Sequence, residues 1–196
     1  MLELARTIDP RPLDQPRNPG ERIGGRCNTY TLLTVALLGA AGIPARSRCG
    51  FGAYFVPGFY EDHWVAEYWD PEERRWTMVD AQLDETWQRT IGMNGSIPVT
   101  VGPEQFLTAG HAWQAWRAGQ LDADRCGLTS IDEHGAFWIA GNLRLDLAAL
   151  NKVEMLPWDR RPRPRTRRPA RPLRVGSLVQ DGRTVFSVAL GEQQRV

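Results

Sequence analysis

The sequence has very little lysine, few cysteines and histidines, and no membrane-length hydrophobic run. Lys152 is the one lysine among 24 basic residues, so arginine carries nearly all of the positive charge. The apolar run at residues 32–43 is shorter than the about 20 residues that a transmembrane helix needs, so we expect no membrane span. The first residues lack a basic start followed by an apolar segment, which predicts no signal peptide and a cytoplasmic location.

The scarcity of cysteine argues against two common kinds of small scaffold. Cys27, Cys49 and Cys126 cannot all pair within one chain, and no Cys-x-x-Cys or Cys/His ligand spacing occurs. A disulfide framework and a structural zinc site are therefore both disfavoured, and we expect neither a metal nor another cofactor. In a reducing cytoplasm a reactive thiol stays available for chemistry.

The near-neutral formal charge of +1 hides an acidic body and a basic tail. Through Trp158 there are 14 basic and 20 acidic residues, and from Asp159 onward there are 10 basic and 3 acidic residues. The alternating Arg and Pro of residues 159–174 cannot bury much apolar surface, so we interpret the tail, 159–196, as a largely disordered extension or a reading-frame artefact. Its charge would attract nucleic acid or an anionic membrane, but no specific nucleic-acid motif accompanies it.

The length and the hydrophobic content of 42% predict one globular domain with appendages. We place an N-terminal arm at residues 1–23, the domain at 24–158 and the tail beyond it. A short helix is expected at 2–7. Within the tail, residues 175–190 hold strand-like patches around an Asp-Gly turn, which we do not expect to join the main core.

An uncharged segment at residues 28–41 is the strongest helix candidate, because Gly42 and Pro44 supply a stop. A helix that is apolar on nearly all sides belongs inside a domain, so we expect this one to be buried. The remaining elements are expected as strands at 45–55, 62–69, 74–80 and 137–139, and helices at 104–118 and 142–150.

The two strands around the polar turn 70–73 lead to a geometric prediction. If Trp69 and Arg74 flank a four-residue hairpin loop, His63 lies directly opposite Asp80. Directly opposed antiparallel residues share a face, with Cβ atoms about 4.5–5.5 Å apart. A carboxylate would then be near enough to orient an imidazole, and the prediction depends on the register.

Cys27, His63 and Asp80 form the candidate catalytic set. Cys27 follows a glycine loop and opens the predicted helix, where the helix N-terminus and a neighbouring imidazole both favour a thiolate. His63 would then act as the base, and Asp80 would set the tautomer of its ring. The backbone N–H of Cys27 is one expected oxyanion donor, and a second donor is left open.

Each of these residues also has a structural interpretation. A cysteine near an apolar helix is often a small buried residue, a strand histidine is usually structural, and an aspartate that ends a strand often caps a turn. The combination of the three favours a site. Trp64 is a candidate substrate-binding residue, although aromatic residues beside His63 are equally suited to covering a sheet.

A family resemblance rests on three segments. Gly25-Arg26-Cys27, with the apolar segment and Gly42-Ile43-Pro44-Ala45-Arg46 that follow, resembles the cysteine segment of the transglutaminase-like superfamily. His63-Trp64-Val65-x-Glu67 resembles its histidine segment, and Trp76-x-x-Val79-Asp80 resembles its aspartate segment. Residues 104–158 look similar to uncharacterised actinobacterial transglutaminase-like proteins.

The resemblance implies an α+β, papain-like core in which the cysteine-bearing helix packs on an antiparallel sheet. It also implies that Cys27 is the nucleophile, His63 the general base and acid, and Asp80 the orienting carboxylate. We therefore expect acyl transfer on a peptide or protein amide through a thioester, and hydrolysis is favoured over transamidation because no amine site is visible. The alternative is a catalytically inactive domain that binds a peptide or protein partner. The oligomeric state is left open.

Overall fold

A computed structural model describes residues 2–12, 15–91, 100–159, 175–180 and 183–188. The chain divides into two compact units. The larger unit is Gly25–Arg163, and the smaller unit combines Met1–Gly24 with Pro164–Val196. Among the described residues, no helix is both long enough and apolar enough to cross a membrane.

Helices account for much of the described chain. The α-helices are α1 Leu2–Ile8, α2 Cys27–Ala40, α3 Glu85–Thr90, α4 Ala109–Arg117 and α5 Ala136–Leu150. Short 3₁₀ helices lie at Pro19–Glu21, Ala123–Arg125 and Thr129–Ile131. Helix α1 belongs to the smaller unit and confirms the helix expected at 2–7, while α2 to α5 belong to the larger unit.

Seven strands of the described residues form one sheet in the larger unit. They are β1 Ala45–Gly52, β2 Tyr60–Asp70, β3 Arg75–Val79, β4 Thr100–Val101, β5 Phe106–Thr108, β6 Cys126–Leu128 and β7 Glu133–His134. The main order is β4-β3-β2-β1-β5, with β6 beside β2 and β7 beside β6. Only the short contact between β2 and β6 is parallel, and the other pairings among these described strands are antiparallel.

Both faces of the sheet are covered. Because neighbouring strand residues point to opposite faces, Trp64 and Val65 of β2 enter different parts of the core. Trp64 packs with Cys49 and with Leu145 of α5 on the face that also receives α2. Val65 packs on the other face against a cluster formed by Leu83, Val101 and Phe106. Strand β2 is therefore a central, buried support for the residues that it carries.

Helix α2 has the predicted limits to within one residue, but its predicted burial is wrong. Gly42, at φ 78°, ends the helix together with a 2.9 Å hydrogen bond from the N–H of Ile43 to the carbonyl of Leu38. Of its residues, all of which the structure describes, only Thr31 is buried. The helix packs on the sheet with one side, so outward residues such as Leu37, 58% exposed, stay at the surface.

The predicted register of the β2–β3 hairpin is also wrong, by two residues. Asp70 pairs with Arg75 and Trp69 with Trp76, so Asp80 does not lie opposite His63. The turn is displaced because Asp70 Oδ1 accepts two backbone N–H groups beyond it, at 3.0 and 3.1 Å. A two-residue shift leaves every side chain on its original face, since the pleat repeats every two residues.

Three other predicted elements differ from the structure. Strand β1 ends at Gly52 rather than at residue 55. The helix expected at 104–118 is divided, because Phe106–Thr108 pairs with β1 and α4 begins only at Ala109. The strand expected at 137–139 is the first turn of α5, where a buried apolar run fits a core helix as well as it fits a strand.

In the smaller unit, β8 Val175–Gln180 and β9 Arg183–Val188 form an antiparallel pair. They correspond to the strand-like patches expected at 175–190. The Arg/Pro run 160–174 lies outside the described residues, so its predicted disorder stays a prediction. The expected limits of arm, domain and tail likewise stay predictions.

Candidate active site

The site forms at a gap beside the central strand. Strand β3 pairs with β2 only from Ala66 onward, and β6 pairs with β2 only at Tyr60 and Glu61. Among the described strands, none pairs with residues 62–65 of β2 on the side away from β1. Asp80 follows the end of β3 at this gap, and the start of α2 brings Cys27 to it.

Cys27 is the first residue of α2 and is half-buried. Helix geometry leaves the N–H groups of the first turn without intrahelical acceptors, and the helix dipole favours negative charge at this end. Arg26, at the N-cap position, has an extended backbone and makes no side-chain cap. The helix start is therefore suited to holding a thiolate or an oxyanion.

His63 and Asp80 form a buried, hydrogen-bonded pair. His63 Nε2 lies 2.7 Å from Asp80 Oδ2, and the two residues are 3% and 2% exposed. A carboxylate can only accept, so Nε2 carries the hydrogen and donates it. The other ring nitrogen, Nδ1, is then available to Cys27, and a hydrogen bond does join the side chains of Cys27 and His63.

The surroundings favour the charged form of His63. Burial by itself disfavours the imidazolium and lowers the pKa of His63. The hydrogen bond to Asp80 and the interactions with Cys27 outweigh burial, so the pKa of His63 lies well above its ordinary value of 6.5. The imidazole is thus prepared to carry a positive charge beside the thiol.

Asp80 is held at both carboxylate oxygens. Oδ2 accepts from the hydroxyl of Tyr54 at 2.6 Å as well as from His63, and Oδ1 accepts from the backbone N–H of Gln82 at 3.0 Å. Burial raises the pKa of Asp80, but these donors and the nearby imidazole hold it below its ordinary value. The carboxylate therefore stays ionised in a buried position.

Tyr54 and Phe55 are parts of the site that sequence reasoning missed. They lie in the loop between β1 and β2, within a segment that the sequence predicts as strand. The edge-on Phe55 ring lies 4.7 Å from the His63 ring, and Tyr54 lies 6.1 Å from it, centroid to centroid. Aromatic residues after Gly52 were the available signal, but nothing local shows that the chain folds back onto Asp80.

Trp64, the candidate substrate-binding residue, lies on the opposite side of β2 from His63 and is 5% exposed. Cys27 packs against the cluster that Trp64 forms with Cys49 and Leu145. Trp64 also lines a cavity of about 540 Å³ between α2, the sheet and the segment after α5. Neither Cys27 nor His63 lines this cavity, so its connection to the thiol is indirect, and a substrate role for Trp64 stays a prediction.

The remaining thiols and imidazoles lie elsewhere. Cys49 and Cys126 are fully buried, and burial raises the pKa of Cys126 to about 12. His111 is in the first turn of α4, and His134 is an exposed residue of β7, 3.5 Å from Asp124. Within the described ranges, no three metal-ligating side chains form a cluster.

The family comparison agrees with the segments that contain the site. Residues 9–81 match the sequence profile of the transglutaminase-like superfamily, and the match includes Cys27, His63 and Asp80. The recognition made from the sequence is confirmed over this range, and so is the predicted fold class, a cysteine-bearing helix packed on an antiparallel sheet. Searches of curated proteins and of solved structures found no significant match.

Proposed function

Because residues 9–81 match the transglutaminase-like superfamily, we propose that this chain is a cysteine-dependent acyl-transfer enzyme. The observation that carries the proposal is the buried 2.7 Å pair of His63 and Asp80 beside a thiol at a helix N-terminus. These are the parts that an activated nucleophile requires: a thiol, a base, and a group that orients the base. The proposed substrate is an amide or peptide bond of a peptide or protein.

In the proposed reaction, His63 Nδ1 takes the proton of Cys27, and the Sγ of Cys27 attacks the amide carbon. The carbonyl oxygen becomes an oxyanion, which the backbone N–H of Cys27 is placed to stabilise. As the tetrahedral intermediate collapses, the imidazolium returns its proton to the leaving amine, and a thioester remains. Asp80 compensates the positive charge of the ring throughout.

Water then completes the proposed cycle. His63 takes a proton from water, the hydroxide attacks the thioester, and Cys27 leaves as thiolate and recovers its proton. We favour hydrolysis over transamidation because water needs no binding site, whereas an acceptor amine requires one.

Two exposed indoles are proposed to contact the substrate. Trp87 is 39% exposed, and its ring centroid lies 6.4 Å from that of Phe55, whose ring in turn contacts His63. Trp158, 56% exposed, is stacked by the guanidinium of Arg26, the residue before Cys27, at 4.9 Å. One residue thus separates each indole from the proposed catalytic set: Phe55 lies between Trp87 and His63, and Arg26 lies between Trp158 and Cys27. Large exposed aromatic rings are favourable contact surfaces for a peptide.

The proposal is tested by alkylating the folded protein with iodoacetamide and mapping each modified cysteine by mass spectrometry. Cys27 is expected to react at mildly acidic pH, and the reaction should slow at least about tenfold in His63→Ala. Buried Cys49 and Cys126 serve as internal controls. Cys27→Ala should abolish turnover of any peptide amide that the wild type cleaves, with an unchanged melting temperature.

Slow alkylation of Cys27 at a rate that is unchanged in His63→Ala would contradict the enzyme proposal. It would favour the second candidate, a catalytically inactive domain that binds a peptide or protein. The exposed apolar side chains of α2, Tyr30, Leu32 and Leu37, are the observation that favours this candidate.

A further inference from the structure

We propose that Tyr54 is a positioning residue of the triad, which holds the Asp80 carboxylate in the orientation that pairs with His63. This inference rests on the proposed function, because it assigns Tyr54 a role in the same site. It extends that function to the loop between β1 and β2, outside the cysteine, histidine and aspartate segments.

The hydrogen-bond pattern around Asp80 carries the inference. The Tyr54 hydroxyl donates to Oδ2 at 2.6 Å, and His63 Nε2 donates to the same oxygen at 2.7 Å. The other oxygen, Oδ1, has the Gln82 N–H at 3.0 Å. With Tyr54 present, rotation of the carboxylate would break three hydrogen bonds, two of them at Oδ2. Without Tyr54, Oδ2 would keep the donor from His63 and lose the second donor that opposes its rotation.

The loop that carries Tyr54 is itself tightly placed. A Cβ added to Gly52 would lie 2.7 Å from the Phe55 ring and 3.2 Å from the Tyr54 ring, so glycine lets the chain fold both rings back over β1. The N–H of Ala53 donates to the carbonyl of Gln105 at 2.8 Å, which fixes the start of the loop. The position of the Tyr54 hydroxyl is thus set by backbone and packing.

Tyr54 is suited to donate and unsuited to act as a base. Burial, followed by the charge of Asp80 and the hydrogen bond to it, raises the pKa of the phenol far above its ordinary value. The phenol therefore keeps its proton at every pH at which the site works. In return, its hydrogen bond lowers the pKa of Asp80 and opposes the effect of burial.

The role predicts a change in the pH dependence of the thiol. The titratable groups that act on the pair are Tyr54 from the loop, Cys27 from α2, and Glu61, which interacts with His63 along β2. Removing the Tyr54 hydroxyl should raise the pKa of Asp80, because one of its donors is lost while burial remains. Once Asp80 is protonated, the imidazolium loses its counter-ion and Cys27 loses its activation.

The experiment compares iodoacetamide alkylation of Cys27 in wild type and Tyr54→Phe from acidic to neutral pH. Loss of a charge-assisted hydrogen bond should move the acidic limb of the rate profile upward by about one pH unit or more, and change the neutral rate less. Tyr60→Phe is the matched control, because Tyr60 is a partly buried tyrosine of the same sheet and its ring contacts the guanidinium of Arg125. Its profile should coincide with that of the wild type.

The outcomes separate this inference from the enzyme proposal. A Tyr54→Phe profile that coincides with wild type, while His63→Ala slows the reaction, overturns the role of Tyr54 and leaves the proposed function intact. A thiol that is indifferent to both substitutions overturns the proposed function itself. A purely structural role for Tyr54 would lower the melting temperature without moving the acidic limb, which also overturns the inference.

If Tyr54→Phe fails to fold, the wild type provides the test. Nuclear magnetic resonance should detect a slowly exchanging Tyr54 hydroxyl proton with a through-space contact to the Nε2 proton of His63, because both point at Asp80 Oδ2. A hydroxyl that exchanges freely with water, without that contact, would overturn the inference.

Discussion

Replacing Asp80 with asparagine tests the electrostatics of the site with almost no change in shape. The carboxylate accepts from Tyr54 and His63 at one oxygen and from the N–H of Gln82 at the other. An amide has one oxygen and one NH₂ group, so whichever way the new side chain turns, its NH₂ group faces at least one donor. The perturbation therefore removes a buried charge and leaves at least one buried donor unsatisfied.

The size of the effect follows from these contacts. A hydrogen bond to a charged group contributes about 1.5–3 kcal/mol, and an unsatisfied buried donor costs about 1–3 kcal/mol. Since part of the cost is relieved by rearrangement, we expect Asp80→Asn to lower the free energy of unfolding by about 2–4 kcal/mol.

The loss should depend on pH in a defined way. The pKa of Asp80 is lowered from 3.8, so its contribution is present above that pH and is lost as the pH falls through the lowered value. The pKa of His63 is raised from 6.5, so its contribution is complete below that pH and is lost as the pH rises through the raised value. The difference between wild type and variant should be greatest between these two ordinary values.

Urea unfolding at a series of pH values measures this difference, and alkylation of Cys27 on the same samples reports the site. We expect the maximal stability difference in mildly acidic solution, together with a Cys27 rate reduced at least about tenfold at neutral pH. A stability difference that is constant over pH, or a variant as reactive as the wild type, would refute the coupling of Asp80 to His63.

Two further predictions concern the scaffold. Gly50→Ala places a Cβ 2.3 Å from a backbone oxygen of β5, so it should lower the free energy of unfolding in urea by at least about 2 kcal/mol. The control is Gly39→Ala on α2, where the added Cβ meets no neighbouring atom within 4 Å, and it should raise that free energy by about 0.5–1 kcal/mol. Equal effects would contradict the close approach of β1 and β5. Asp146 forms two hydrogen bonds of 3.0 Å each with the guanidinium of Arg48, so Asp146→Ala should lower the free energy of unfolding by about 3 kcal/mol. The control Glu73→Ala removes an exposed ion pair and should lower it by less than about 1 kcal/mol. A melting temperature that both variants share with the wild type would show that the buried pair contributes nothing.

Much of the site was predictable because its signals are local. The start of α2 at Cys27 and its end before Gly42 depend on neighbouring residues, and the structure places both within one residue of the prediction. Likewise, alternation along the two strands, together with an assumed hairpin loop between them, assigned His63 and Asp80 to one face. That assignment survived a wrong register, because the error was an even number of residues.

Other features depend on contacts between distant segments. Residues 106–108 have the pattern of a helix, yet they form β5 because the edge of β1 offers hydrogen bonds. The one-sided burial of α2 was equally hidden, since its composition is apolar all round and only the sheet decides which side is covered.

The sequence by itself determined the start and end of the helix that bears Cys27, and it selected Cys27, His63 and Asp80 as the candidate residues, because helix stops, periodicity and motif spacing act over a few residues. Only the tertiary structure decided the gap beside β2, the 2.7 Å pairing of His63 with Asp80, and the approach of Tyr54 to the same carboxylate. These features arise when segments far apart in the chain pack together, so their distances depend on the register and the packing of the whole sheet.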